Sequence, residues 1–141
     1  MSILNVSKFD DENFNTKLPG TESECNEPVP KVFIPNKSGH DFSASSRYGI
    51  PIYVTQGLIN RFSVGYMARK WFLSLKDSGK QDYLLITSLT ILTVVGAAIF
   101  GWLHGRINLL IFRNNKYIAR TIIFENLSQE IEEDKKGGSL C

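Results

Sequence analysis

One short loop carries most of the chemically versatile side chains of the chain. Between Asn36 and Ser43 the sequence places an amide, an amine, hydroxyl groups, an imidazole and a carboxylate close together. His40 and Asp41 are neighbours, so an acid–base pair is one interpretation. A solvated loop in which Asp41 caps a turn is the other, and it is favoured because no second histidine or cysteine is placed to complete a nucleophilic site. We therefore predict binding, with no catalytic residue.

Polar residues also follow two predicted strands, at the point where each strand ends. In open α/β sheets, ligands bind at the carboxyl ends of the strands. Helix N-termini point to the same place, and their unpaired amides and partial positive charge favour anions. We predict a ligand or partner site at this edge, with an anionic group as the favoured occupant. Its residues are Asn36, His40, Asp41, Ser43, Thr55, Gln56, Asn60, Arg61, Thr87 and Ser88.

The same residues also have a plainer interpretation. Asn60, Thr87 and Ser88 are residue types that cap helices, and in that case the edge is empty. The loops contain neither G-x-G-x-x-G nor a Walker lysine, so no nucleotide motif supports the site. Cys25 and Cys141 lie in polar segments near the two ends and have no metal-ligand spacing. We predict no metal and no cofactor, and a reducing compartment.

The elements that position this edge are organised around the apolar stretch from Tyr83 to Phe112. The run 83–86 follows a polar segment with a glycine, which is typical of a strand buried in a parallel sheet. Small residues from Leu89 onward predict a buried helix that ends at His104, with Gly105 in the left-handed position after it. Two antiparallel strands follow, 107–112 and 117–124, joined by an asparagine-rich turn.

A single membrane-spanning helix is the competing interpretation of this stretch. Residues 84–103 are uncharged and have about the length that a bilayer requires. However, six of these twenty residues are Thr, Ser or Gly. Basic residues flank the run on both sides, so no charge asymmetry sets an orientation. The strand–helix–strand interpretation is therefore favoured.

The earlier part of the chain supplies two more strands and an amphipathic helix. Strands are predicted at 31–34, stopped by Pro35, and at 51–55. Apolar residues between Val64 and Leu75 recur at helical spacing, with Asn60 or Ser63 as the cap. The predicted fold class is α/β, a small Rossmann-like βαβαβ core with a mostly parallel sheet and a C-terminal antiparallel hairpin strand. The predicted core is Ile52, Val54, Met67, Trp71, Leu84, Ile86, Leu92, Ile99, Leu109 and Ile111.

Charge divides the chain into three segments. Residues 1–30 carry two Lys and six acidic residues, net −4; residues 31–124 are net +9; residues 125–141 are net −3. We predict a mostly disordered acidic arm over 1–30, a basic α/β domain over 31–124, and an acidic tail over 125–141 that is a short exposed helix or disordered. The basic segment indicates either a polyanion partner or a surface whose charge keeps the domain soluble.

Several short segments resemble a group of small, uncharacterised proteins encoded by bacteriophages. The similarity is carried by residues 40–43 (HDFS), 55–57 (TQG), 60–62 (NRF), 82–87 (DYLLIT) and 104–110 (HGRINLL). It covers about residues 32–122 and leaves out both acidic ends. The resemblance implies a compact soluble protein in the cytoplasm of an infected bacterium, with no established activity or catalytic residues.

These observations together predict a nonenzymatic binding or interaction protein. The expected partner is another protein or a second copy of the chain. A basic nucleic-acid-binding domain with acidic tails is the first alternative. The second is a single-pass membrane protein with its helix at residues 84–103, and a membrane is not the expected partner.

Overall fold

The computed structural model describes residues 28–137, which form a five-stranded sheet with two helices packed on one face. The strands are β1 (Lys31–Lys37), β2 (Ile50–Gln56), β3 (Tyr83–Leu85), β4 (Arg106–Arg113) and β5 (Lys116–Ile123). The helices are α1 (Val64–Leu75), α2 (Thr90–His104) and α3 (Phe124–Gly137), and a short 3-10 helix (Ser43–Tyr48) lies between β1 and β2. Most of the predicted arm, with Cys25, and the last four residues of the predicted tail, with Cys141, lie outside the described residues.

The strand order is β2-β1-β3-β4-β5. Strand β1 is parallel to β2 and to β3, β3 is parallel to β4, and β4 is antiparallel to β5. The α/β prediction with a C-terminal hairpin is confirmed. From β1 the chain first steps outward to β2, and the connection through α1 then returns across β1 to reach β3. The direction of winding therefore reverses between β1 and β3.

Helices α1 and α2 cover one face of the sheet and pack against each other. Buried Met67, Trp71 and Leu75 of α1 meet buried residues of α2 and of the strands. The Trp71 indole is fully buried, and its Nε1–H donates to the carbonyl of Leu92 at 2.8 Å. A Cβ at Gly96 would overlap this indole. The small residue Gly96 therefore allows α2 to pack closely against the Trp71 side chain of α1.

The other face of the sheet is covered by the connection between β1 and β2. Phe42 and Tyr48 from this connection, together with Tyr83, pack on a second buried cluster. The Tyr48 hydroxyl donates to the carbonyl of Tyr117 at 2.9 Å. The cluster beneath them consists of Val32, Ile34, Leu85, Leu110, Tyr117 and Ala119. The sheet thus has an apolar layer on each side, although both packed helices lie on one.

The stretch 84–103 is divided between a strand and a helix. Leu84 and Leu85 belong to β3, and α2 is 15 residues long. Among residues 28–137, no helix combines the length and the apolar character needed to cross a membrane. The alternative of one continuous helix at 84–103 is therefore wrong. Gly105 follows α2 with φ 69°, as predicted for a left-handed C-terminal position.

Several local predictions are wrong. Pro35 does not end β1, because pairing with β2 continues on both sides of it, between Ile34 and Tyr53 and between Asn36 and Thr55. Strand β5 ends at Ile123, and Phe124 begins α3 instead. Ile111 is 40% exposed, since the core cluster on the helix side reaches Leu109 of β4 but not Ile111.

The rest of the predicted core is close to what the structure shows. Five of its members are buried and three more pack against them from partly buried positions. The buried ones are Val54, Met67, Trp71, Leu84 and Leu92, and the partly buried ones are Ile52, Ile99 and Leu109. Ile86, just after β3, is also partly buried.

A buried hydrogen-bond network lies at the amino edge of the sheet. The Asp82 side chain, 1% exposed, accepts hydrogen bonds from the backbone N–H groups of Lys31 (2.9 Å) and Gly79 (2.8 Å). Asn108 Nδ2 donates to the carbonyl of Asp82 at 2.7 Å. The Thr121 hydroxyl donates to Asn108 Oδ1 at 2.9 Å. These bonds fix β1, β3, β4 and β5 relative to one another at this end.

His104, the last residue of α2, lies beside this network. Its Nε2 is 2.7 Å from Ser78 Oγ, and its ring meets the Phe100 ring edge-on at 4.8 Å between centroids. Burial lowers the pKa of His104 below its ordinary value of 6.5, and the charge of Asp82 opposes part of that shift. The folded chain therefore favours the neutral imidazole.

We expect the melting temperature to fall when the pH is lowered from about 7.5 to about 5. The pKa of His104 is lower in the folded state than in the unfolded state, so the unfolded chain takes up the proton first. The stability that neutral His104 contributes is thus present above its ordinary pKa and is lost as the pH falls through its lowered pKa. Thermal unfolding of His104→Gln should show a smaller fall over this range than the wild type. His40→Gln, which removes the other histidine from an exposed loop, is the control.

Candidate ligand-binding cleft

A cavity of about 780 Å³ opens at the carboxyl edge of the parallel strands. The loops after β1, β2 and β3 form it, together with the end of β4 and the start of β5. Its polar lining consists of Asn36, Ser38, His40, Asp41, Thr87 and Ser88. Its apolar lining consists of Phe42, Leu58, Ile59, Leu89, Phe112 and Tyr117. We refer to this cavity as the cleft.

Asn36 holds two walls of the cleft together. It lies at the end of β1 and is 6% exposed. Its Nδ2 donates to the carbonyl of Gly57, in the loop after β2, at 3.0 Å. Its Oδ1 is 2.8 Å from the hydroxyl of Thr55, which donates to the carbonyl of Pro35 at 2.7 Å. The loops after β1 and β2 are therefore fixed to each other by buried polar contacts.

Asp41 places a carboxylate at the mouth of the cleft. Its Oδ1 accepts the backbone N–H of Ser43 at 2.9 Å, which confirms the interpretation of Asp41 as a turn cap. Hydrogen bonds from the Ser43 backbone and hydroxyl lower the pKa of Asp41. Its side chain therefore remains ionised at neutral pH. Ser43 acts on this residue and does not itself line the cleft.

Aromatic rings form two sides of the cleft. Tyr117 is 6% exposed, and its ring centroid lies 5.1 Å from that of Phe112, its partner across the β4–β5 ladder. Burial, with a smaller contribution from the charge of Asp41, raises the pKa of Tyr117, so its hydroxyl stays protonated. On the other side, the Phe42 ring lies 6.2 Å from the His40 ring. The cleft thus offers flat apolar surfaces beside polar groups.

The chain turns from β3 into α2 at the wall made by Thr87, Ser88 and Leu89. Thr87 Oγ1 accepts the backbone N–H of Leu89 at 3.3 Å and lies 3.2 Å from Thr93 Oγ1. Helix α2 begins at Thr90 with no hydrogen bond from a capping side chain. The interpretation of Thr87 and Ser88 as helix caps is therefore wrong. Both are instead lining residues.

The structure brings five of the ten predicted site residues into the cleft: Asn36, His40, Asp41, Thr87 and Ser88. Thr55 is buried and contacts Asn36, but it does not line the cleft. Gln56, the last residue of β2, is exposed and also lies outside the lining. Asn60 Oδ1 accepts the backbone N–H of Phe62 at 2.9 Å, so it stabilises a turn and does not cap α1.

Arg61 does not join the site. Its guanidinium lies over the Phe62 ring, 5.5 Å from the centroid, and it is absent from the lining. Asp41 is the charged member of the described lining. A cation that would favour an anionic occupant, as expected from Arg61, is thus missing from the part of the lining that residues 28–137 form.

The apolar part of the lining is what the sequence prediction missed. Leu58 and Leu89 each come shortly after a strand end, and Phe112 and Tyr117 face each other across the β4–β5 turn. The direction of β4 is the feature from which this apolar lining could have been predicted. Because β4 is parallel to β3, its carboxyl end and the start of β5 lie at the same edge as the predicted site.

Within the described part of the chain, no group of three or more His, Cys, Asp or Glu is arranged to hold a metal ion. No protein-family model, curated protein or solved structure matches this chain. Its function is therefore inferred from the cleft.

Proposed function

We propose that this chain is a nonenzymatic binding protein that takes a small amphipathic molecule into the cleft. The carrying observation is a cavity of about 780 Å³ at the carboxyl edge, beside the point where the winding reverses between β1 and β3. Open α/β sheets bind ligands at this position. The volume is within the range of small-molecule sites, which combine apolar walls with a few polar groups.

The lining indicates the chemistry of the ligand. The rings of Phe112, Tyr117 and Phe42 suit a flat or aliphatic body. The Asp41 carboxylate accepts hydrogen bonds and attracts positive charge, and among residues 28–137 the lining contains no lysine or arginine that would compensate a negative ligand. We therefore infer that the ligand carries an amine or another hydrogen-bond donor on an apolar body.

A thermal-shift screen tests this proposal with matched compounds. Each set shares one aromatic body and carries an amine, a neutral amide or a carboxylate. A ligand that binds only the folded chain raises its melting temperature. We expect the amine to give the largest shift and the carboxylate the smallest. Asp41→Asn, which keeps an oxygen for the Ser43 N–H, should remove the preference for the amine. A preference for the carboxylate would contradict the proposal.

Phe112→Ala should weaken the binding of such a ligand by about tenfold or more, because the variant removes one aromatic wall. Phe112 is 55% exposed, so the melting temperature of the free protein should change little. Ile111→Ala is the matched control. Ile111 is 40% exposed, lies next to Phe112 in β4 on the opposite side of the strand, and does not line the cleft. Titration calorimetry gives both affinities, and equal losses would show that the cleft is not the binding site.

A basic nucleic-acid-binding surface is the second candidate. The net charge of +9 over residues 31–124 favours it. Lysine or arginine also lies over an aromatic ring in several separate segments, including Lys37 over Tyr53 at 5.5 Å and Arg47 over Tyr48 at 5.1 Å. Phosphate contacts would make the affinity for mixed DNA or RNA fall steeply with salt. If the chain binds neither DNA nor RNA at low salt, the nucleic-acid candidate is excluded and only the cleft proposal remains.

The resemblance to bacteriophage-encoded proteins adds a cellular setting to the proposal, the cytoplasm of an infected bacterium. A pull-down from infected cells with the wild type and Phe112→Ala would show which captured molecules depend on the cleft.

A further inference from the structure

Helix α3 carries an apolar stripe that the rest of the described chain covers only in part. The helix follows β5 directly, and the Phe124 N–H donates to the carbonyl of Gly105 at 3.1 Å. The Phe124 ring lies against Gly101. Phe124, Leu127 and Ile131 are 39%, 38% and 54% exposed. Their spacing of i, i+3 and i+7 places them on one side of the helix, and we call them the α3 stripe.

A second apolar feature lies between α1 and α2. A groove of about 400 Å³ is lined by Ala68, Phe72, Leu73 and Ile99, with Arg69 as the polar member. Phe72 and Leu73 are 45% and 59% exposed. We call this cavity the helix groove. Two large exposed apolar side chains beside a concave surface are typical of a surface that binds an amphipathic helix.

The α3 stripe and the helix groove are complementary, because one is a ridge of apolar side chains and the other an apolar concave surface, and because their charges are opposite. Anchors at i, i+3 and i+7 are the pattern of a helix that lies in an apolar groove. The exposed residues that follow the stripe are the acidic run 132–134 and two lysines, and α3 as a whole has five acidic residues against those two lysines. By contrast, Arg69 lines the groove, and Lys70 and Lys76 lie on or directly after α1. Acidic and basic groups would therefore meet at the rim.

The α3 stripe is not free to reach the helix groove of its own chain. Strand β5 ends at Ile123 and α3 begins at Phe124, so no linker separates them. The hydrogen bond from Phe124 to Gly105 and the contact with Gly101 fix the first turn. A second copy has no such restriction. We propose that two copies form a symmetric dimer in which α3 of each lies in the helix groove of the other.

Sedimentation equilibrium of the full chain tests the proposal. Ile131→Glu in the stripe and Leu73→Glu in the groove should each weaken the dimer by about tenfold or more, because each places a carboxylate in an apolar contact. Gln129→Glu adds the same charge to an exposed position of α3 outside the stripe, and it should leave the dimer unchanged.

An equimolar mixture of the Ile131→Glu and Leu73→Glu variants supplies a sharper result. A mixed dimer has one intact stripe in one intact groove, so it should form more readily than either variant dimer. Phe9→Glu with Phe14→Glu tests whether the N-terminal segment fills the groove instead, and the dimer should survive it. A monomeric wild type, a dimer insensitive to Ile131→Glu or Leu73→Glu, or a dimer lost in Phe9→Glu/Phe14→Glu would each overturn the proposal.

Discussion

Trp71→Ala is expected to lower the free energy of unfolding by about 3–5 kcal/mol. The indole is fully buried between α1 and α2, and its Nε1–H donates to the carbonyl of Leu92. Alanine leaves a cavity and removes the hydrogen bond that the indole makes to the Leu92 carbonyl. Urea unfolding followed by circular dichroism measures the loss. Trp102→Ala removes the other tryptophan, which is 74% exposed, and should cost less than about 1 kcal/mol.

The same contact is testable from α2. Gly96→Ala introduces a Cβ that overlaps the indole of Trp71. It should destabilise the wild type, but not the Trp71→Ala variant, in which the indole is gone. Equal effects in the two backgrounds would mean that Gly96 and Trp71 do not meet, and the packing of α1 on α2 would have to be revised.

Asp82→Ala is expected to cost about 2–5 kcal/mol. The Asp82 carboxylate accepts the backbone N–H groups of Lys31 and Gly79 in a buried position, so its removal leaves two donors without a partner. Asp82→Asn keeps one oxygen and should cost less. Asp77→Ala is the control, because Asp77 is exposed and close in sequence. Urea unfolding that gives Asp77→Ala and Asp82→Ala the same stability would contradict the described network.

Local pattern predicted the elements of the fold because it depends on short-range periodicity. The helical spacing of Met67, Trp71 and Leu75 identifies the buried side of α1, and all three are fully buried. The same spacing includes Phe72, which is 45% exposed. The apolar face of α1 that the spacing defines is therefore wider than the part of the helix that the sheet covers. The position of β1 between β2 and β3 depends on pairing between distant residues, and no local pattern reports it.

The carboxyl edge as the place of the cleft was predictable from strand direction alone. The residues that line the cleft were predictable only in part. Thr55 follows buried Val54 at the end of β2, but its hydroxyl is turned into the structure to meet Asn36. Arg61 is displaced by a turn that Asn60 stabilises. These outcomes depend on particular side-chain hydrogen bonds, one between two strands and one within a turn, which residue type and spacing do not specify.

The position of β1 also has a consequence for the order in which the sheet assembles. Val32 pairs with Tyr83 across half of the described chain, whereas Phe112 pairs with Tyr117 across a single turn, in which Asn114 and Asn115 have positive φ. Closing the longer loop costs more chain entropy, so the hairpin is the fast local step and the β1–β3 pairing the slow non-local one. The apolar run at β1 is made before β3, its partner on one side. Until β3 arrives, that run has one unpaired edge that is open to association with other chains.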